Sequence, residues 1–175
     1  MNCTRFKSLR NTKPEKVVSI SEVLNEISSV KYKSIIEEIR QSENPSKNPL
    51  KDKLPVFTPT GQFNYRSLAG LEIYNGLMCL DIDGVEDPQS LKEKCKSLNY
   101  VYSAFITPSG RGLKVLIKSS ATAENYREIE LKVANAFQHD TGFLRDNHCK
   151  DIARIQFVSY DPELYINENS SIINL

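Results

Sequence analysis

An apolar run ends in two aspartates one residue apart: Leu77-Met78-Cys79-Leu80-Asp81-Ile82-Asp83-Gly84. On a β-strand, residues i and i+2 share a face. Asp81 and Asp83 are therefore expected to point the same way, with Leu80 and Ile82 on the opposite face. Two carboxylates this close repel, and one tends to hold its proton unless a cation neutralises the pair. A hard, oxygen-preferring ion such as Mg²⁺ or Mn²⁺ is the natural counter-charge. The plainer reading is a strand end whose acids face water, with Asp83-Gly84 as the corner of a turn.

A second segment adds anion chemistry: Thr107-Pro108-Ser109-Gly110-Arg111-Gly112-Leu113-Lys114. Its glycines permit positive φ and close approach of a ligand to the backbone, and successive N–H groups in such a turn can form an anion-binding nest. Ser109 adds a hydroxyl; Arg111 and Lys114 add positive charge. A nucleoside triphosphate beside a metal pair needs this set. It is not a P-loop, because the Gly-Lys-Ser/Thr ending is missing, and an ordinary hairpin with solvated basic residues is the bland alternative. A third segment, Arg145-Asp146-Asn147-His148-Cys149-Lys150-Asp151-Ile152-Ala153-Arg154, holds two acids and an arginine suited to clamping phosphate.

These residues need elements to carry them. Residues 1–16 are polar and basic and read as an extended lead-in. Val23, Leu24, Ile27, Val30, Ile35, Ile36 and Ile39 recur at helical spacing across 19–40, with a break near 28–32 and Ser19 or Ser21 as cap. Residues 41–55 form a loop and 56–58 a short strand. Strand 76–83 then precedes a helix at about 88–98 opened by Pro88. Strands 100–107 and 113–118 flank the glycine hairpin, and a helix at about 122–139 has Thr122 as candidate cap. An irregular stretch, strand 154–159 and a polar tail close the chain. The order is β-α-β-β-α-β, an α+β, ferredoxin/RRM-like core, with helices on one face of the sheet and the other face free for a site. Residues 1–50 are a helical extension and linker; residues 51–175 are the main domain. In this topology the last strand runs beside the first. Its start then brings Asp146 or Asp151, and Arg154, towards Asp81 and Asp83. If the two strands bearing Asp81 and Lys114 are parallel, Lys118 lies nearer the aspartates than Lys114 does; register is open at this point.

Composition narrows the field less. A chain of 175 residues with a net charge of +1 advertises no global attraction to nucleic acid or membrane, so any anion site must be a local cluster. Cys3, Cys79, Cys95 and Cys149 are scattered and read as reduced thiols. His139, His148 and Cys149 offer no set with zinc spacing. No run approaches about 18 apolar residues and no signal-peptide core is present, so a cytoplasmic protein without a membrane partner is expected.

The segments LMCLDIDG, TPSGRGLKV and RDNHCKDIARIQFVSYDPELY together resemble the VirE N-terminal domain, a primase-like module of the archaeo-eukaryotic primase (primase-polymerase) superfamily. The resemblance implies an Asp-x-Asp metal pair at Asp81 and Asp83. It also implies a nucleotide-binding segment at Ser109, Gly110, Arg111, Gly112 and Lys114, where that superfamily usually has Ser-x-His and this chain has no histidine. A third acid before a basic position is best matched by Asp146 with Arg154, and Asp151 is the rival ligand. The implied function is a nucleotidyl transferase using two Mg²⁺ or Mn²⁺ ions, with single-stranded DNA as template, nucleoside triphosphates as substrate, mobile-element replication as its setting and a helicase-type ATPase as partner in cis or in trans. Two other functions fit the residues: a catalytically inactive single-strand-binding module stacking bases on Tyr65, Tyr102 or Phe157, and a phosphohydrolase of the haloacid dehalogenase type with Asp81 as nucleophile.

Overall fold

The computed structural model describes residues 1–146, 151–173 and 175. The N-terminal residues form a strand, β1 (Asn2–Phe6), where an extended lead-in was expected, and β2 (Lys16–Ser19) pairs with it. Residues 3–6 are buried despite their polar look, because each polar side chain has an internal partner. Arg5 donates to Glu26 Oε2 and to the Tyr32 hydroxyl, both at 2.6 Å. Thr4 Oγ1 accepts the Phe63 N–H at 2.7 Å.

Helix α1 (Ile20–Ser28) starts where Ser19 Oγ accepts the Glu22 N–H at 3.0 Å, and it buries Ile20, Val23, Leu24 and Ile27. After a 3₁₀ turn at Val30–Tyr32 comes α2 (Lys33–Gln41), which buries Ile36 and Ile39. The polar segment after it contains 3₁₀ turns at Pro45–Lys47 and Pro49–Lys53. Strands β3 (Val56–Thr58), β4 (Gly61–Phe63) and β5 (Leu71–Tyr74) follow, with β4 and β5 paired.

The apolar run is β6 (Leu77–Asp83). Helix α3 (Pro88–Lys96) is capped by Asp87, which accepts the Ser90 N–H at 3.0 Å. Strands β7 (Val101–Ile106) and β8 (Gly112–Lys118) form the expected hairpin. Helix α4 (Tyr126–Thr141) begins later than expected: Thr122 and Asn125 bond each other in a preceding turn, so Thr122 caps no helix. Gly142, at φ +81°, ends α4 in the left-handed conformation that glycine adopts without steric penalty.

The last part departs from expectation. Only Gln156–Phe157 form a strand, β9, and it pairs with β3, not with β6. The sheets run β2-β1-β3-β9 and β10-β7-β8-β6, where β10 (Tyr165–Ile166) comes from the tail. The tail is thus a strand on the edge of the second sheet as well as a surface wrap. The result is a mixed α+β fold whose strand pairs are antiparallel.

Alternation along β6 splits the core in two. Met78, Leu80 and Ile82 pack with Leu91 and Cys95 of α3 and with Val133 and Phe137 of α4. Leu77 and Cys79 face the other way, with Tyr102, Phe105 and Leu116, and meet Val23, Leu24, Ile27, Ile36, Ile39 and Phe57. The face expected to be free is therefore covered, because the apolar stripes of α1 and α2 need a surface to bury against. Residues on both sides of position 50 share this cluster. Arg40 of α2 reaches the 107–111 turn, donating to the carbonyls of Thr107 (3.2 Å) and Tyr160 (2.8 Å). Cys3 and Cys95 are buried thiols, each pushed up by desolvation to a pKa of about 12. Among the described residues no helix is long and apolar enough to cross a membrane.

Candidate metal and nucleotide site

Asp81 and Asp83 lie on the face of β6 that carries Leu77 and Cys79, at the end the helical cover does not reach. In the β6–β8 register Asp81 stands opposite Lys114 and Asp83 opposite Gly112. The two strands are antiparallel, which decides between the lysines. Lys114 Nζ ion-pairs with Asp81 Oδ2. Lys118 stands opposite Leu77 at the far end, and its ammonium donates to the carbonyls of Glu168 and Ser170, both at 2.9 Å. Gly112 must be small: a Cβ there would lie 2.6 Å from the Ile82 carbonyl oxygen and 3.1 Å from Asp83 Oδ1.

The third acid arrives by a different route from the one expected, since no last strand lies beside β6. The Asp146 N–H donates to the Asp81 carbonyl at 2.7 Å. Its neighbour Arg145 ion-pairs with Glu130 of α4, whose side chain is almost fully buried, and donates through Nη2 to Oε2 at 3.1 Å. A buried pair of this kind is costly to break, so it holds the segment leading into Asp146 in place. Asp81, Asp83 and Asp146 each offer a carboxylate oxygen, and these atoms all lie within 4.8 Å of one another. Asp151 lines the adjoining cleft and is not in that group. Asn147, His148, Cys149 and Lys150 lie outside the described residues.

Asp81 and Asp83 line a cleft of about 800 Å³. Lys114, Ser109, Thr107, Pro108, Lys51, Gln156 and Phe157 line it. Arg66, Arg127 and Arg154 also line it. Residues 152–157 reach the cleft because β9 joins β3 and because Thr60 Oγ1 donates to the Ile152 carbonyl at 2.6 Å. Gly110, Arg111 and Gly112 do not line it. The Gly110 N–H is used within the turn, donating to the Thr107 carbonyl at 2.9 Å. Gly110 has φ +72°, and a Cβ on it would press on Arg40 at 3.3 Å. These glycines serve the turn and the close packing of strands, which replaces the nest expected of them.

The electrostatics follow from the crowding. Burial raises the Asp83 pKa most; Asp81 and Asp146 raise it further, and Lys114 and Lys51 oppose them. The Lys51 pKa is lowered, first by burial and then by Lys114, against the pull of Asp83 and Asp81. Lys51 donates to the Ser46 carbonyl at 3.1 Å and lies 5.3 Å from the Phe157 ring centre. Sequence reading missed it: a single lysine in a Pro- and Asn-rich loop carries no pattern. It also missed Glu130, although an acid on the stripe of Tyr126, Val133, Ala134 and Phe137 was a visible irregularity.

A family model, the BT4734-like N-terminal domain, matches residues 49–166. The chain belongs to that family. This corrects the resemblance to the VirE N-terminal domain: the matching family is a different one, and the mobile-element setting and the helicase-type ATPase, which came only through that resemblance, lose their warrant. The BT4734-like match takes in β3 to β10, and with them Lys51, the three clustered aspartates and Arg154. No curated protein and no solved structure matches the chain.

Proposed function

We propose that this domain is a divalent-metal-dependent nucleotidyl transferase that extends nucleic acid on a single-stranded DNA template from nucleoside triphosphates. The observation that carries the reading is the Asp81–Asp83–Asp146 cluster, of which Asp81 and Asp83 line a cleft together with Lys51, Lys114, Arg127 and Arg154. All three donors are carboxylates, as Mg²⁺ or Mn²⁺ prefers, and desolvation first, then the charges of Asp81 and Asp146, raise the Asp83 pKa. The order β6-α3-β7-β8-α4, with the acids at the end of its first strand, supports a ferredoxin/RRM-like core whose last strand is diverted to another sheet.

Bound divalent ions would activate a primer 3′-hydroxyl and neutralise charge on the transferring phosphoryl group. The chain's own residues do the rest. Asp81, Asp83 and Asp146 would hold the ions. Lys114, fixed by its pairing with Asp81, and Lys51, which also lines the cleft, would offer ammonium groups to phosphate oxygens. Arg154 offers a planar fork suited to bidentate phosphate binding. Ser109, whose hydroxyl lies 3.1 Å from that of Thr107, is a further donor at the rim. A haloacid-dehalogenase mechanism fits poorly, because it needs a parallel sheet beside Asp81 and the strand beside β6 is antiparallel.

The test is Mn²⁺ titration followed by primer extension on single-stranded DNA. Expected are Mn²⁺ binding lost in Asp81→Asn and Asp146→Asn, retained in Asp151→Asn, and a templated product. Folded protein that binds no divalent ion and yields no product would overturn the reading. Oligonucleotide binding with no product, indifferent to Asp81→Ala, would select the inactive binding module.

A further inference from the structure

The cleft has a rim that the metal chemistry does not use. The loop after β1 and the loop between β4 and β5 are stitched together: the Arg66 N–H donates to the Thr12 carbonyl at 3.0 Å, and Arg66 Nη1 donates to the Leu9 carbonyl. The second loop is closed tightly on itself. Asn64 N–H donates to the Gly70 carbonyl at 2.9 Å, and a Cβ on Gly70 would sit 2.2 Å from the Tyr65 carbonyl oxygen. Such a loop is a fixed platform.

This platform displays apolar groups to solvent. Leu68 is 65% exposed, Tyr65 46% and Leu9 37%, and Leu9 and Leu68 line the cleft mouth together with Arg66. The first of these loops carries Lys7, Arg10 and Lys13, all exposed, and of these Arg10 is paired with Asp52. A flat aromatic, an aliphatic partner and a fringe of cations form the combination that binds single strands. Bases stack on the apolar groups and phosphates follow the charge. The combination suits a duplex poorly, since its bases are already stacked.

We infer that the Tyr65–Leu68 platform, with Lys7, Lys13 and Arg66 around it, is where a single-stranded nucleic acid enters the cleft, its bases stacked on Tyr65 and Leu68. The inference rests on the nucleotidyl-transferase reading for the identity of the strand as template. The surface itself does not depend on catalysis.

The experiment is fluorescence anisotropy with a labelled 12-nucleotide oligo-dT at low salt, beside Mn²⁺ titration of the same proteins. Tyr65 and Leu68 are exposed, so Tyr65→Ala/Leu68→Ala should fold and bind Mn²⁺ as the unaltered chain does, yet bind the oligonucleotide about tenfold more weakly. Lys7→Ala/Lys13→Ala should flatten the salt dependence, with the log–log slope falling by roughly 0.7 for each phosphate that the variant no longer neutralises. Blunt duplex of equal length should compete poorly. The inference is overturned if the Tyr65/Leu68 variant binds oligo-dT unchanged, or if polyglutamate displaces the oligonucleotide at equal charge concentration, the mark of an unspecific anion patch. Mn²⁺ binding lost through Asp81→Asn with oligonucleotide binding kept would leave the platform standing whatever becomes of the transferase reading.

Discussion

Among the described residues two lysine–carboxylate pairs are buried beside the β10-β7-β8-β6 sheet, and they are built to opposite ends. Lys92 of α3 meets both oxygens of Asp161, at 2.9 and 2.8 Å, with side-chain exposures of 0% and 3%. Asp161 also accepts the N–H groups of Ile106 (2.9 Å) and Glu163 (3.2 Å). One positive charge meets one negative charge, and both carboxylate oxygens are occupied from inside the protein. Lys114 and Asp81 form the other pair, with side-chain exposures of 10% and 8%. Here two further carboxylates crowd the same spot, and Asp81 and Asp83 line a cleft. The first pair is closed and balanced, as a structural pair must be to offset its desolvation. The second carries surplus negative charge at an accessible place, which burial alone would not sustain and which a bound cation would relieve.

Pairs built so differently should respond differently to mutation. The largest expected effect is on stability. Lys92→Ala leaves Asp161 buried without its counter-charge and should cost about 3–5 kcal/mol in urea unfolding. Asp81→Asn should cost less than half of that, because Lys114 keeps Asp83 and Asp146 nearby, while weakening Mn²⁺ binding by about two orders of magnitude in calorimetry. Equal destabilisation of both variants, with metal binding unchanged, would show Asp81 to be structural as well.

Lys51→Met tests the division of labour within the site. It removes an ammonium that acts on Lys114, Asp83 and Asp81 and keeps an apolar stem of similar length. Affinity for a Mn²⁺–nucleotide complex should fall about tenfold, as expected for removing one charge-assisted hydrogen bond, with Mn²⁺ affinity nearly unchanged.

The smallest effect is on pH dependence. The Asp83 pKa is raised in the folded state, so the native protein binds the proton more tightly than the unfolded chain does. Stability should therefore fall as pH rises from the ordinary carboxylate pKa, 3.8, through the raised value. Asp83→Asn should raise Tm slightly at pH 7 without metal, and the gain should vanish below pH 3.8, where Asp83 is protonated in both states. Saturating Mn²⁺ should give the unaltered protein a similar gain.

What could be read in the chain without its structure was local. The period-2 pattern of 77–83 placed Asp81 and Asp83 on one face, because side-chain alternation is a property of any strand. The break between α1 and α2, the capping by Ser19 and the 107–112 hairpin likewise depend on residues within one or two turns of each other. The surprises all required a partner distant in sequence. β1 looks polar because its polar atoms bond to residues 21, 27 and 59 positions away. β9 is a strand beside β3, across about a hundred residues, where nothing in Gln156-Phe157 distinguishes that neighbour from β6. The covered sheet face, the choice of Lys114 over Lys118 and the presence of Lys51 in the cleft were decided in the same way. Residue type and spacing determine which groups exist and which way they point along one element. Which elements meet, and so whether those groups form a site, is decided by burial of apolar faces summed over the whole molecule, a quantity that no single segment carries.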